Sequence, residues 1–211
     1  MLVIQRPTVE AIGDDNNRHQ QFAVGPLEPG YGHTIGNSLR RMLLSSIPGA
    51  AITVVHFDEA LHEFGAIAGI AEDVTDIILN LKDIVVTSTS EEAVTLRLDV
   101  RGPAEVTAGD IKCPSEIEIH NKDLHIASVN GKGRLAIDLT VERGRGYLSA
   151  DRETQDRTIG NIPVDAIFSP VRRVTFQVET TRVEQSTNYE RLVLDIETDG
   201  TISPQIGRAH V

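Results

Sequence analysis

The sequence predicts an α+β protein in which a strand-rich domain is inserted into a domain formed by both ends of the chain. Two observations indicate this fold class. Segments with alternating apolar and polar residues recur along the chain, which is typical of antiparallel sheets with one buried face. Only two segments place apolar residues at helical spacing instead. With 211 residues, 40% of them hydrophobic, the chain is long enough to form one or two compact domains.

The first predicted helix covers residues 32–47 and follows a predicted strand at residues 21–24. Its apolar residues recur every three or four positions, which places them on one stripe of a helix. These residues are Ile35, Leu39, Met42, Leu43 and Ile47. Pro48 and Gly49 are typical of the end of a helix, so we expect it to stop there.

The second predicted helix covers residues 69–82. Its apolar stripe is formed by Ile70, Val74, Ile77, Ile78 and Leu81. Glu72 and Asp73 lie in the predicted first turn and Lys82 lies in the last, where each charge is favourable to the helix dipole. The charges and the stripe therefore agree on the same helix.

The other predicted elements are strands. Residues 51–57 are apolar and β-branched, and residues 93–100 alternate strictly between apolar and polar side chains. The same alternation recurs at residues 135–141, 174–178 and 192–196. Strands therefore dominate the middle and the end of the chain.

Changes in composition suggest the domain limits. Residues 143–160 are polar, charged and rich in glycine, so we expect a long loop there. We place the inserted domain at residues 51–165. The surrounding domain is then formed by residues 1–50 and 166–204.

The charge and the composition exclude several classes of protein. The net charge is −11 and no run of basic residues is present, which argues against autonomous DNA binding, because such binding depends on a basic surface. No apolar run approaches the ~20 residues of a membrane span, and the first residues do not resemble a signal peptide. A single cysteine, Cys113, excludes an internal disulfide and favours a reducing cytoplasm.

A glycine-rich motif offers one alternative function. Residues 30–36 (GYGHTIG) precede the first helix, and Asp58 follows the next strand at about the distance expected of a ribose-binding acid. This pattern resembles a dinucleotide site and would make the chain a small nucleotide-binding oxidoreductase. However, Pro26 and Pro29 separate the strand from the glycines, where a tight turn is needed. A loop that simply enters a helix is the simpler interpretation.

Motifs of catalysis or metal binding are not found in the sequence. The hydrolase, zinc-protease and phosphate-loop patterns are missing, and the spacing of His56, His62 and Glu63 matches no zinc template. Cys113 has no evident base partner and is interpreted as a passive thiol. We therefore expect neither a catalytic residue nor a metal or cofactor on this chain.

Two adjacent arginines on the first helix are the least ordinary feature. Arg40 and Arg41 lie between apolar turns, and Leu44 shares a face with Arg41 because it follows three residues later. The arginines are either solvated charges or part of a surface that binds a partner. Arginine is enriched in protein interfaces because its planar group makes several directional bonds.

This helix carries a resemblance to a known family. Residues 27–49 (LEPGYGHTIGNSLRRMLLSSIPG) closely resemble the first helix of the amino-terminal domain of the bacterial RNA polymerase alpha subunit. The resemblance continues, in the same order, at residues 61–64, 72–82, 143–147, 164–171, 182–185 and 197–202. It covers nearly the whole chain to about Pro204.

The resemblance implies a scaffold for assembly in the cytoplasm. Members of this family form a homodimer through the domain built from both chain ends, and the dimer recruits the beta subunit and then the beta-prime subunit. The family's magnesium-binding aspartates belong to the beta-prime chain, which agrees with the lack of a catalytic motif here.

The resemblance also implies roles for particular residues. Arg41 would be the principal contact with beta, with Arg40 and Leu44 beside it. Lys82 and Val164, together with the loop of residues 165–170, would face beta-prime. The dimer interface and core of the first helix would be formed by Ile35, Leu39, Met42 and Leu43.

The end of the sequence departs from the family pattern. After Ile202, Ser203 and Pro204 the family continues with a long dimerisation helix, a linker and a small DNA-binding domain. Residues 205–211 (QIGRAHV) do not continue this pattern and are interpreted as a non-native tail. A β-rich adaptor unrelated to transcription remains a third possible function.

Overall fold

A computed structural model describes residues 6–60, 62–151, 160–183 and 186–205. The predicted tail lies outside the described residues apart from Gln205, as do Leu61, Glu184 and Gln185 of the family motifs. Of the described residues, 6–47 and 169–205 form a first compact unit, and those between 48 and 168 form a second. The predicted insert, residues 51–165, lies within the second unit.

The described residues form fourteen strands, two α-helices and one short 3-10 helix at Ala108–Asp110. The first unit contains β1 (Thr8–Asn16), β2 (His19–Leu27) and α1 (Tyr31–Ser45). The second contains β3 (Pro48–Phe57), α2 (Val74–Lys82), β4 (Val86–Ser88), β5 (Val94–Arg101), β6 (Ala104–Thr107), β7 (Ile117–Ile119), β8 (His125–Val129), β9 (Arg134–Arg145), β10 (Tyr147–Leu148), β11 (Asn161–Pro163) and β12 (Ala166–Ile167). The first unit resumes with β13 (Val171–Val183) and β14 (Ser186–Thr198).

The first unit is a helix packed on an antiparallel sheet with the strand order β1-β2-β14-β13. Its core lies between α1 and this sheet. The buried residues of the core are Phe22, Val24, Leu27, Leu39, Leu43, Ile47, Val171, Val174, Leu192, Leu194 and Ile196. The alternation predicted at residues 192–196 is confirmed, because every second side chain of β14 is buried there. At residues 174–178 of β13 the exposed residues also alternate, with Val174 buried and Phe176 and Val178 half-buried.

The buried face of α1 differs from the predicted stripe. The buried residues of the helix are Gly32, Gly36, Leu39 and Leu43. Leu39, Leu43 and Ile47 of the predicted stripe are buried, whereas Met42 is 46% exposed and lies outside the core of its own unit. Its predicted place in a dimer interface stays a prediction. Gly32 and Gly36 extend the buried face because α1 lies close to β13, where a Cβ atom on Gly36 would come within 2.6 Å of the Phe176 ring.

The second unit contains a four-stranded antiparallel sheet with the order β11-β3-β9-β5 and three two-stranded pairs. These pairs are β10-β12, β4-β7 and β6-β8. Strands β3, β5 and β9 and helix α2 contribute most of the fully buried side chains, among them Val55, Phe57, Ile77, Leu98 and Ile137. All described ladders are antiparallel, as the alternating pattern predicts.

Helix α2 begins at Val74, five residues after the predicted start. Gly69 has a φ of 85°, and a Cβ there would come within 2.6 Å of Gly133, so the chain turns at this point. Ile70 forms an isolated bridge with Val129 instead of joining the helix stripe. Glu72 accepts hydrogen bonds from the Ser128 backbone N–H at 2.7 Å and the Ser128 hydroxyl at 3.0 Å. Residues of the predicted first turn therefore contact β8 instead of forming the helix.

The long loop predicted at residues 143–160 is partly wrong. Strand β9 continues to Arg145, and Gly144 lies opposite Gly49 of β3. Gly144 is needed because a Cβ there would come within 2.6 Å of the Phe168 ring. Residues 152–159 lie outside the described residues. Among the described helices, none is long and apolar enough to cross a membrane.

Candidate partner-binding surfaces

The outer face of α1 carries the two arginines. Arg41 lies about 180° around the helix axis from the buried stripe, at 3.6 residues per turn. Arg40 and Arg41 are both exposed, and among the described residues neither guanidinium takes part in an ion pair. Leu44 is half-buried and packs against the edge of the first unit's core. This face therefore combines unpaired positive charge with a partly exposed apolar side chain.

A second, apolar flank of α1 is also exposed to solvent. Tyr31 and Met42 are exposed, and Ile35 between them is half-buried. The four residues predicted for the dimer interface and core thus separate into two groups. Leu39 and Leu43 are buried in the core of their own chain, whereas Ile35 and Met42 keep surface on this flank.

The amino-terminal end of α1 is capped by a carboxylate from a distant strand. Glu190 of β14 accepts a hydrogen bond from the Gly30 backbone N–H at 2.9 Å and another from the Gly32 N–H at 2.8 Å. These two N–H donors hold the pKa of Glu190 below its usual range. The glycine motif thus binds an anion, and that anion is the chain's own glutamate.

Asp58, the predicted ribose-binding acid, is also occupied. Arg97 donates to both of its carboxylate oxygens, at 3.0 and 2.6 Å, and contacts Asp138 at 2.9 Å. The hydrogen bonds from Arg97 lower the pKa of Asp58. Both features of the predicted dinucleotide site therefore have partners within the chain.

A second charged cluster surrounds Asp165 in the second unit. Its carboxylate accepts a hydrogen bond from the Ala150 N–H at 2.8 Å, and Lys82 Nζ lies 3.5 Å away. Tyr147 is hydrogen-bonded to the same side chain. The Ala150 N–H contributes most to lowering the pKa of Asp165. Asp165 thus connects the end of α2 with β10 and the residues that follow it.

The predicted beta-prime residues occupy different environments. Lys82 is exposed at the end of α2, whereas Val164 is only 5% exposed and packs in the core of the second unit. A partner could therefore reach Lys82 and Asp165 but little of the Val164 side chain. Tyr147 and Ile167 are exposed and lie opposite each other in the β10-β12 pair. They add apolar surface to the same unit.

The remaining candidate residues do not form a reactive site. His56 Nδ1 lies 3.0 Å from the Gly160 carbonyl, and the Glu63 carbonyl accepts a hydrogen bond from the Thr75 hydroxyl. Partial burial raises the pKa of the Cys113 thiol, which makes it a weaker nucleophile. Among the described residues, no group of three or more His, Cys, Asp or Glu side chains could hold a metal ion.

The role of Glu190 could not be predicted from the sequence. It lies 158 positions from Gly32, and no local motif connects the two residues. One indirect signal was present: α1 has no acidic residue in its first turn and no capping side chain of its own. A helix with unsatisfied N–H groups at its start needs a partner from elsewhere.

The fold and these surfaces define a class of protein: a two-unit α+β chain with an inserted strand-rich unit and exposed charged surfaces. A family model described as the RNA polymerase Rpb3/RpoA insert domain matches residues 55–169, more than half of the chain. The chain therefore belongs to the RNA polymerase Rpb3/RpoA insert domain family.

Several relatives are similar over almost the whole chain. Proteins named DNA-directed RNA polymerase subunit alpha from Beutenbergia cavernae, Saccharopolyspora erythraea and Kineococcus radiotolerans are each 55% identical to it. Each match covers 97% of this chain. The chain spans only 61%, 57% and 61% of the length of these relatives, respectively. Neither the family nor these relatives support the oxidoreductase alternative.

Proposed function

We propose that this chain is the assembly part of a bacterial RNA polymerase alpha subunit, which forms a homodimer and recruits the beta and beta-prime subunits in the cytoplasm. The observation that carries this proposal is Arg41, exposed and unpaired among the described residues, on a helix whose opposite face is buried. The names of the relatives and the family of the second unit support it.

The proposed contact with beta is centred on Arg41. A solvated guanidinium can form directional bonds with a carboxylate or a carbonyl of a partner. Arg40 lies beside it, and Leu44 provides apolar surface on the same side of the helix. Because the buried stripe fixes α1 to its own sheet, binding beta requires no rearrangement of this unit.

The proposed dimer contact uses the apolar flank of α1. Ile35 and Met42 are available for a second copy of the chain, and Tyr31 extends the same flank. Leu39 and Leu43 contribute indirectly, because they hold the helix on its sheet. This assignment divides the predicted interface into surface residues and supporting residues.

The proposed contact with beta-prime uses the Asp165 cluster. Lys82 provides the charge, and Val164 supports the following loop from inside the core. We propose a non-catalytic role for the chain, since the carboxylates named above are occupied by hydrogen bonds and ion pairs. The chemistry of the polymerase would then be performed by the subunits that this chain brings together.

A capture experiment tests the proposal. The tagged chain and its Arg41→Ala variant are immobilised, and purified beta and then beta-prime are added. We expect the unaltered chain to retain beta and then beta-prime, and the variant to bind beta at least about tenfold more weakly, as is typical of an interface hot spot. Arg172→Ala, which removes an exposed arginine of β13, is the matched control.

Two results would contradict the proposal. If Arg41→Ala unfolds the chain, as judged by circular dichroism, Arg41 is a structural residue. If the variant folds and retains beta as well as the Arg172→Ala control does, the beta-binding surface lies elsewhere. Binding of NAD by the isolated chain would instead favour the oxidoreductase.

A further inference from the structure

The contact between Glu190 and α1 joins two parts of the first unit that are far apart in sequence. Both carboxylate oxygens are used, one for the N–H of Gly30 and one for the N–H of Gly32. Gly30 has a φ of 85°, a conformation that favours glycine, and its N–H and that of Gly32 converge on the same carboxylate. Helix N-termini favour negative charge at this position.

Close packing beside this contact restricts how the helix can move. A Cβ atom on Gly32 would come within 2.7 Å of Val178 Cγ1 and 2.9 Å of Glu190 Oε2. The adjacent His33 ring packs edge-on against Phe176, with ring centroids 6.2 Å apart. The first two turns of α1 therefore pack on β13 and β14, and Glu190 of β14 contacts the amino-terminal end of the helix.

The arginine surface begins in these same turns. The outer face of α1 is formed by residues spaced three or four positions apart from the second turn onward. They are Asn37, Arg40, Arg41 and Leu44. A helix end that frays or rotates would change the position of this whole face, because the residues are connected by a continuous helix.

We infer that Glu190 is a positioning residue for partner binding, because its carboxylate fixes the start of α1 and so places Arg40 and Arg41 for the beta subunit. This inference rests on the proposed function of the arginine surface. Glu190 itself lies on β14 and acts through the helix. Leu39 and Leu43 also hold α1 on its sheet, so loss of the Glu190 contact should shift the arginines without releasing the helix.

The test compares Glu190→Gln with Glu10→Gln, an exposed residue of β1 where the same charge is removed. The first readout is amide hydrogen exchange at Gly30 and Gly32, which reports the capping contact directly. The second is the Kd for purified beta. We expect Glu190→Gln to accelerate exchange at both amides at least about tenfold and to raise the Kd about threefold to tenfold, as for a lost helix cap. Glu10→Gln should change neither.

A conservative variant separates positioning from folding. Glu190→Asp keeps the charge but is one methylene shorter, so it should restore part of the exchange protection and part of the affinity. If Glu190→Gln does not fold, Glu190→Asp decides the question in the same two assays. A Kd for Glu190→Asp equal to that of the unaltered chain, despite faster exchange, would then overturn the inference.

Including Arg41→Ala in the same series distinguishes the two possible failures. If Arg41→Ala weakens beta binding but Glu190→Gln does not, despite faster exchange at Gly30 and Gly32, the inference is wrong and the proposed function stands. If Arg41→Ala leaves the Kd unchanged, the proposed function is contradicted, because Arg41 is the centre of the proposed contact with beta. Weaker binding in both single variants, with a smaller than additive effect in the double variant, would support both the role of Glu190 and the proposed function.

Discussion

The two α-helices among the described residues are held in their units in different ways. Helix α2 inserts large apolar side chains, Val74, Ile77 and Leu81, into the core of its unit. Helix α1 also buries Leu39 and Leu43, but in its first two turns it presents two glycines to β13 and is capped by a glutamate from β14. The buried face of α2 can thus be read from its own sequence. The position of α1 depends on contacts with β13 and β14, which lie more than a hundred residues further along the chain.

The charges at the helix ends show the same contrast. Helix α2 has Asp73 at its N-cap position, Asp76 in its first turn and Lys82 in its last. Helix α1 has neither an acidic residue in its first turn nor a basic one in its last. Its two arginines lie in the middle of its outer face instead. A helix whose charges are not used for its own stability can use them to bind a partner.

The largest expected effect is the loss of an apolar anchor of α2. Ile77 is fully buried, so Ile77→Ala removes buried surface and leaves a cavity. We expect the free energy of unfolding to fall by about 2 to 5 kcal/mol. Chemical denaturation followed by circular dichroism measures this change.

Leu79→Ala is the matched control for this prediction. Leu79 lies on the same helix but is exposed, so its truncation should change the free energy of unfolding by less than about 0.5 kcal/mol. If both variants lose the same stability, α2 is not anchored by its buried stripe, and the contrast between the two helices is wrong.

The next effect concerns the close packing of the α1 glycines against β13. Gly36→Val would place methyl groups against Phe176, where even a Cβ atom comes within 2.6 Å of the ring. Overpacking of this kind should cost about 1 to 3 kcal/mol of unfolding free energy. The melting temperature of the variant measures it.

Asn37→Val is the control, because it introduces the same side chain one position further on, where it is exposed. Its melting temperature should remain well above that of Gly36→Val. Equal destabilisation would mean that the cost comes from valine in a helix rather than from the close approach to β13. In that case the close packing of the α1 glycines against β13 would not be what sets the position of the helix.

These helices also show how far the sequence can predict the structure. The strands at residues 51–57, 93–100 and 135–141 are confirmed. The first was predicted from its β-branched, apolar composition, and the other two from the alternation of apolar and polar side chains. The stripe of α1 was predicted only in part, since a glycine carries no hydrophobic signal and yet can mark the closest contact. The predicted start of α2 was wrong because Gly69 lies against Gly133 and Glu72 accepts hydrogen bonds from Ser128 of β8.

The candidate surfaces were predictable to a similar degree. Arg40, Arg41 and Lys82 stand out because exposed charge on a helix is visible in the sequence. The contacts of Lys82 and Val164 with beta-prime were predicted from resemblance alone, and resemblance does not show that the Val164 side chain is buried. Glu190 was missed because a capping partner from another strand leaves no local pattern. Contacts between distant segments are what the sequence alone could not supply.

The smallest expected effect concerns Asp165, the carboxylate near the end of α2, which is compared with Glu190 at the start of α1. Asp165 contacts Lys82 at the end of α2, and its pKa is lowered chiefly by the Ala150 N–H. A carboxylate with a lowered pKa in the folded chain stabilises the fold above its unfolded pKa of about 3.9. That contribution is lost as the pH falls through the folded pKa. Asp165→Asn should therefore lower the melting temperature at pH 7, and the difference from the unaltered chain should shrink as the pH falls below about 3.9.

The expected size of this effect follows from exposure. The Asp165 side chain is 37% exposed, so solvent screens its interactions and the difference at pH 7 should be only about 1 to 3 °C. Asp123→Asn, an exposed aspartate of the same unit, is the control and should show no such pH dependence. A difference for Asp165→Asn that stays constant or widens in acid would contradict the prediction. It would then follow that the shape of the carboxyl group, rather than its charge, joins α2 to Ala150 and Tyr147.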